Sequence, residues 1–193
     1  MIVFLKGQYV AKSPAVVWME VNGIGYEVGI SLHTYSKISQ LEKGTLLTYL
    51  QVKEDGFSLF GFFDEEERTL FMQLISVSGV GASTARMMLS SMKPEEITRA
   101  IITENERELE RIKGIGAKSA KRLILELKDK LMKSKPTENL LPTKNNNLEN
   151  DALNALVSLG IARNMGYAAI QKALKHDSTL TLEDLIKHAL KNL

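Results

Sequence analysis

The stretch Leu74–Met92 is repeated 35 residues later at Leu109–Leu127. LISVSGVGASTARMMLSSM lies over LERIKGIGAKSAKRLILEL. Gly79 falls on Gly114, Gly81 on Gly116 and Ala85 on Ala120. Apolar residues coincide at Leu74/Leu109, Val77/Ile112, Val80/Ile115 and Met88/Leu123. Each copy therefore reads as the end of a helix, a G-apolar-G turn and the start of a second helix. The glycines permit the sharp turn and let another backbone or a ligand come close. Just beyond them, the N–H groups of a helix N-terminus have no intrahelical acceptor and suit an anion.

A lone G-x-G is common and is most often a packing turn. Two in register, the second flanked by Lys113, Lys118, Lys121 and Arg122, point further. This is the helix-hairpin-helix pattern, a grip on DNA phosphates that carries no sequence information. The candidate contacts are Gly79, Val80, Gly81, Ser83, Thr84 and Arg86 in the first copy, and Gly114, Ile115, Gly116, Lys118, Lys121 and Arg122 in the second. Neither copy has the G-x-x-x-x-G-K-[ST] spacing of a P-loop.

The formal net charge of +2 conceals a strong asymmetry. Residues 64–110 carry five basic and ten acidic side chains, whereas residues 111–135 carry nine and two. Both flanking regions are neutral. The positive field thus lies on the second hairpin and its following helix, the footprint of a phosphate-binding face. On that helix Ala117, Ala120, Leu123, Ile124, Leu127 and Leu131 fall in one arc of about 120°, a core-facing stripe. Lys118, Lys121, Arg122 and Lys128 fall in the adjoining arc, with Leu125 the exception. No cysteine is present, which excludes disulfides and thiolate ligands and fits a reducing cytoplasm. No apolar run approaches a membrane span, and the N-terminus lacks the apolar core of a signal peptide.

Upstream, Val3–Lys12, Ala15–Val21, Ile24–Ser31, Thr45–Lys53 and Phe57–Phe63 read as short strands, with Asn22-Gly23 a hairpin turn. His33–Leu41 reads as a short helix. Five strands in about 60 residues predict a small closed barrel such as an OB-fold. Tyr9, Trp18, Tyr26, Tyr35 and Tyr49 are scattered, which favours core or rim packing over base stacking. Glu54 and Asp55 sit at a hairpin tip; a solvated turn is the plain reading, a negative probe that repels phosphates the functional one. Asp64 and Glu67 fit a capping box at a helix start. Residues 136–149, with two prolines and several asparagines, read as a flexible linker. Beyond it, helices are expected at Ala152–Leu159, stopped by Gly160, at Arg163–Leu174, and after a Thr181 cap.

The order of these features resembles the RuvA family of bacterial Holliday-junction-binding proteins over essentially the full chain. The resemblance rests on Gly23-Ile24-Gly25-Tyr26-Glu27-Val28, Glu67-Arg68-Thr69-Leu70-Phe71, the GVG and GIG hairpins and Arg122-Leu123-Ile124. It implies a multi-domain α+β fold: a five-stranded OB-fold β-barrel over 1–63, an all-α tandem helix-hairpin-helix domain over 64–135, the flexible linker, and a three-helix, UBA-like domain over 150–193. It implies a non-catalytic, cytoplasmic subunit with no metal or cofactor. Its partners would be four-way junction DNA, other copies of itself in a homotetramer or two stacked tetramers, the RuvB hexameric ATPase and the RuvC resolvase. Glu54 and Asp55 would form an acidic pin at the crossover. Leu156, Leu159, Ile161, Tyr167 and Leu190 would contact the motor. Two departures stand out: many relatives carry lysine where Ser83 stands, and tyrosine where Ile161 stands.

Two other function classes compete. A helix-hairpin-helix glycosylase or nuclease needs an activated nucleophile or a metal-holding carboxylate cluster, yet His33, His176 and His188 are dispersed. An OB-fold single-strand binder would prefer oligo-dT to a four-way junction.

Overall fold

The computed structural model describes residues 1–54, 56–134, 144–176 and 180–192, leaving aside the side chains of 133–134, 144–147 and 175–176. The chain divides into two compact units, Met1–Pro136 and Thr137–Leu193.

Strands β1 (Phe4–Lys12), β2 (Val16–Val21), β3 (Ile24–Ile30), β4 (Lys43–Lys53) and β5 (Gly56–Phe62) close a barrel in the order β1-β2-β3-β5-β4. Closure is what five short strands need to leave no exposed edge. Alternate residues turn inward: Leu5, Val17, Met19, Val28, Ile30 and Leu46 are buried together. Asn22 and Gly23 turn β2 into β3 with φ of 51° and 84°, the left-handed pair that a two-residue hairpin demands. The closing seam is parallel and short, pairing only Gly29 with Phe60 and Ile30 with Gly61. A helix, α1 (Leu32–Ile38), spans β3 to β4 and is shorter at its C-terminal end than its sequence suggests.

Helices α2 (Glu65–Ile75), α3 (Ala82–Ser91), α4 (Pro94–Ile102), α5 (Glu106–Glu110) and α6 (Ala117–Ser134) follow. They share a core with the barrel. Phe71 of α2 is fully buried, its ring centroid 4.8 Å from Phe62 and 5.5 Å from both Phe60 and Tyr49. Burying one such ring contributes about 1.5–3 kcal/mol. The aromatic cluster therefore anchors α2 on β4 and β5 of the barrel.

The expected capping box at Asp64 is half formed. Asp64 accepts from the Glu67 N–H at 2.9 Å, but the Glu67 side chain does not reach back. It is fully buried and accepts hydrogen bonds from the Ser31 and Thr34 hydroxyls instead. Burial pushes its carboxyl above the ordinary carboxylate range, and those two hydrogen bonds oppose the rise. Thr34 also accepts from the Phe63 N–H at 2.9 Å, and Ser31 caps α1. A buried charged group needs such partners to be tolerated.

In the second unit α7 (Lys144–Ser158), α8 (Arg163–His176) and α9 (Leu182–Lys191) pack around Leu153, Leu156, Ile170 and Leu185. Helix α7 starts eight residues before the expected Ala152, so 144–149, read from composition as linker, is helical. Residues 135–143 lie outside the described residues. Gly160, at φ 88°, ends α7: its N–H donates to Val157 and that of Ile161 to Leu156, which closes the helix end in a Schellman motif. Thr181 caps α9 as expected, accepting from the Asp184 N–H at 3.3 Å.

Candidate nucleic-acid interface

Both repeats fold alike. Gly79 and Gly114 adopt φ of 90° and 95°, a region that disfavours any side chain. The apolar residue that follows is buried: Val80 and Ile115 are each 5% exposed. Their N–H groups donate to Val77 and Ile112, each at 3.0 Å, closing the turn. Val80 and Ile115 are therefore structural anchors, with neither amide nor side chain left for a phosphate. The pairs Leu74/Leu109, Val77/Ile112, Val80/Ile115 and Met88/Leu123 are buried in both copies, and Ala85 and Ala120 fully so, which is why both copies keep alanine there; Ala117, expected on the core-facing stripe, is exposed at the start of its helix.

The second glycines differ from the first. Gly81 is the N-cap of α3 with φ −87° and makes no side-chain cap. A Cβ added at Gly81 or at Gly116 would meet nothing within 4 Å. Nothing in the chain calls for glycine at either site. The amides of Gly81, Ala82 and Ser83, like those of Gly116, Ala117 and Lys118, have no acceptor among the described hydrogen bonds. Two helix starts thus present free donors over a surface with no side chain in the way. Ser83 is exposed and Thr84 half-buried at the first of these.

The basic face of α6 is less uniform than its arc suggests. Lys128 pairs with Glu104, which holds the Lys128 ammonium above and the Glu104 carboxyl below their ordinary values. Arg122 donates to Glu126 at 3.0 Å. Lys121 lies 3.9 Å from Glu106 while two-thirds exposed. Lys113 and Lys118 have no ion pair among the described residues, and both are exposed. The available positive charge is therefore concentrated beside the second hairpin.

Arg86 faces the barrel. Its guanidinium donates to the Ala15 carbonyl at 3.0 Å and lies over the Phe60 ring at 5.9 Å. Gly29 makes the room, since a Cβ there would stand 2.8 Å from the Arg86 Nη1. Arg86 thus bolts α3 to the barrel seam. A polar residue one turn into a helix gives no sequence sign of which way it points.

At the other end of β5, Lys53 pairs with Gly56, so Glu54 and Asp55 alone join β4 to β5. Glu54 is exposed; Asp55 lies outside the described residues. Of the scattered aromatics, Tyr9 is buried and Tyr26, Tyr35 and Tyr49 half-buried, whereas Trp18 is 53% exposed and donates from its indole to Glu27 at 3.1 Å.

Residues 1–61 match the family described as RuvA N terminal domain, 71–129 the SAM-like helix-hairpin-helix tandem, and 147–193 the RuvA C-terminal domain. Among curated relatives, a protein of Christiangramia forsetii is 49% identical over the whole of both chains. One of Flavobacterium psychrophilum is 42% identical over the whole of both, and one of Cytophaga hutchinsonii 41% over 99% of each. The chain belongs to the RuvA family. All three relatives bear the name Holliday junction branch migration complex subunit RuvA.

In the RuvA C-terminal domain, Leu159, Tyr167 and Leu190 are 64%, 54% and 43% exposed. Ile161 is half-buried against the domain core, and Leu156 is fully buried within it. Leu156 is thus a residue of the domain core. Glu67 and Arg86, which join barrel to helices, had no signal as a pair in the sequence. Among the described residues no helix is long and apolar enough to cross a membrane, and no group of three acidic or histidine side chains is placed for a metal ion.

Proposed function

We propose that this chain is the junction-binding subunit of a Holliday-junction branch-migration complex, acting in recombination and repair without chemistry of its own. The observation that carries the reading is the pair of helix starts, each with free amides behind a glycine that the fold does not require. Amides bind phosphate whatever the base, and sequence independence is what a protein needs if every base pair must pass it. Lys118, Lys121 and Arg122 add charge to the second site, and the first relies on amides with the Ser83 and Thr84 hydroxyls.

Glu54 and Asp55 stand at the crossover as an acidic pin. At 4 Å two unit charges interact by about 1 kcal/mol in water and about 4 at an effective dielectric of 20. Summed over the four pins of a homotetramer, such repulsion steers strands into separate arms. One tetramer, or two stacked face to face, holds the junction open. The 150–193 domain, tethered through the preceding segment, recruits the RuvB hexameric ATPase through exposed Leu159, Tyr167 and Leu190, and the RuvC resolvase acts on the same complex. The setting is cytoplasmic, at the nucleoid. Competition between a four-way junction, linear duplex and oligo-dT tests the reading: the junction is preferred, and a preference for oligo-dT overturns it.

A further inference from the structure

The β4–β5 hairpin carries more than its acidic tip. Val52 faces Phe57 across the ladder, one rung below the Lys53–Gly56 pair. These are large apolar side chains, yet they are 64% and 76% exposed. They continue an inward-facing row: two rungs deeper on the same face, Leu50 pairs with Leu59, and Leu59 packs against the barrel core. The hairpin outruns the barrel, so the row emerges at the mouth largely uncovered among the described residues. The rung between, Gln51 with Ser58, turns polar groups to the opposite face. Burial within the chain therefore does not account for apolar residues at Val52 and Phe57.

We infer that Val52 and Phe57 form an apolar shoulder that stacks on the terminal base pair of a duplex arm where it meets the crossover. This rests on the junction-binding reading above and gives the hairpin a second part. The shoulder lies about 7 Å from the tip, two residues at about 3.3 Å each. Glu54 at that distance repels phosphate, so the surface of DNA able to settle there is the flat, uncharged face of a base pair. An aromatic ring accepts any base pair equally, which keeps the contact independent of sequence. Across the open seam from the same strand stand Ser83 and Arg86. A strand held at the first hairpin thus has its next bases directed toward Phe57. The tip sets the phosphates apart, and the shoulder replaces the stacking partner that an arm loses when the junction opens.

The test uses the full-length protein and an immobile four-way junction with 2-aminopurine in the base pair bordering the crossover. Wild-type binding changes the probe's fluorescence. At saturating protein, the double variant Val52→Ser/Phe57→Ser loses most of that change, its junction affinity by anisotropy falls by about 5- to 150-fold, and its solution mass is unaltered. Phe57→Tyr retains the signal. A double variant that keeps the full fluorescence change overturns the shoulder. So does one whose solution mass falls without DNA, because the row would then be covered by a second copy. Failure of the wild type to prefer the junction defeats the underlying functional reading instead, and is seen before any variant is made.

Discussion

The two glycines of each hairpin should fail in opposite ways when given a methyl group. At Gly79 and Gly114 the obstacle is the backbone: φ of 90° and 95° lies beyond the ordinary left-handed well. An alanine there costs roughly 1–3 kcal/mol, so Gly79→Ala/Gly114→Ala should destabilise the N-terminal unit by about 2–6 kcal/mol if the sites add. At Gly81, φ is −87°, and at neither Gly81 nor Gly116 does a Cβ meet anything within 4 Å. Stiffening the unfolded chain stabilises by about 0.4–1 kcal/mol per site, and replacing glycine by alanine at an N-cap costs a similar amount. Gly81→Ala/Gly116→Ala should therefore leave stability within about 1 kcal/mol. Its effect falls on the ligand. A methyl between amide and phosphate forfeits a charge-assisted hydrogen bond, about 1.5–3 kcal/mol, or a roughly 10- to 150-fold weaker Kd. Thermal unfolding and anisotropy with a labelled four-way junction, on both double variants, read the two effects separately. The reasoning is refuted if Gly81→Ala/Gly116→Ala unfolds as early as the other pair, or if it binds the junction as tightly as wild type.

Lys118→Ala should lower the slope of log K against log salt by about 0.9, and Arg122→Ala by less, because Glu126 holds its guanidinium; equal slopes for wild type and Lys118→Ala would remove that ammonium from the phosphates. Glu54→Ala/Asp55→Ala should bind the junction as well as or better than wild type while changing the migration rate, and lost binding contradicts the pin. Ending the chain after Lys135 should spare junction binding and abolish stimulation of the motor ATPase; persistent stimulation would place the docking surface elsewhere. Glu67 makes stability depend on pH. Its folded-state carboxyl is raised above 4.5 by burial, so the folded chain holds that proton more tightly than the unfolded one. The resulting stability is complete below about 4.5 and drains away as pH rises through the raised value. Urea unfolding across this range should show a shallower decline in Glu67→Gln than in wild type, and parallel profiles would refute the assignment.

Most of the fold was legible because its signals are local. Asn22-Gly23, the turn glycines, Gly160 and the Asp64 and Thr181 caps act within a few residues, where backbone sterics and the nearest hydrogen bond decide. The repeat was legible because both copies bury the same positions. What failed was direction and competition. Composition marked 144–149 as linker, yet the segment continues a helix whose apolar face packs on α8 and α9. Leu156 and Leu159 are alike as residues, but the first, on α7, is core and the second, in the turn just past its end, is surface.

By itself the sequence determined the two hairpins, the five strands, the charge beside the second helix and membership of the family, all properties of short stretches and their order. Only the tertiary structure decided how the parts of the hairpins divide their work. It returned the Val80 and Ile115 amides to their own turns and freed those of the second glycines. It fixed Arg86 on the Ala15 carbonyl. It buried Glu67 between barrel and helices, and left Val52 and Phe57 uncovered. The reason is the same in each case. Whether a polar group is spent or free, and whether an apolar one is covered, depends on neighbours brought from far along the chain, as with Arg86 and Ala15, 71 residues apart.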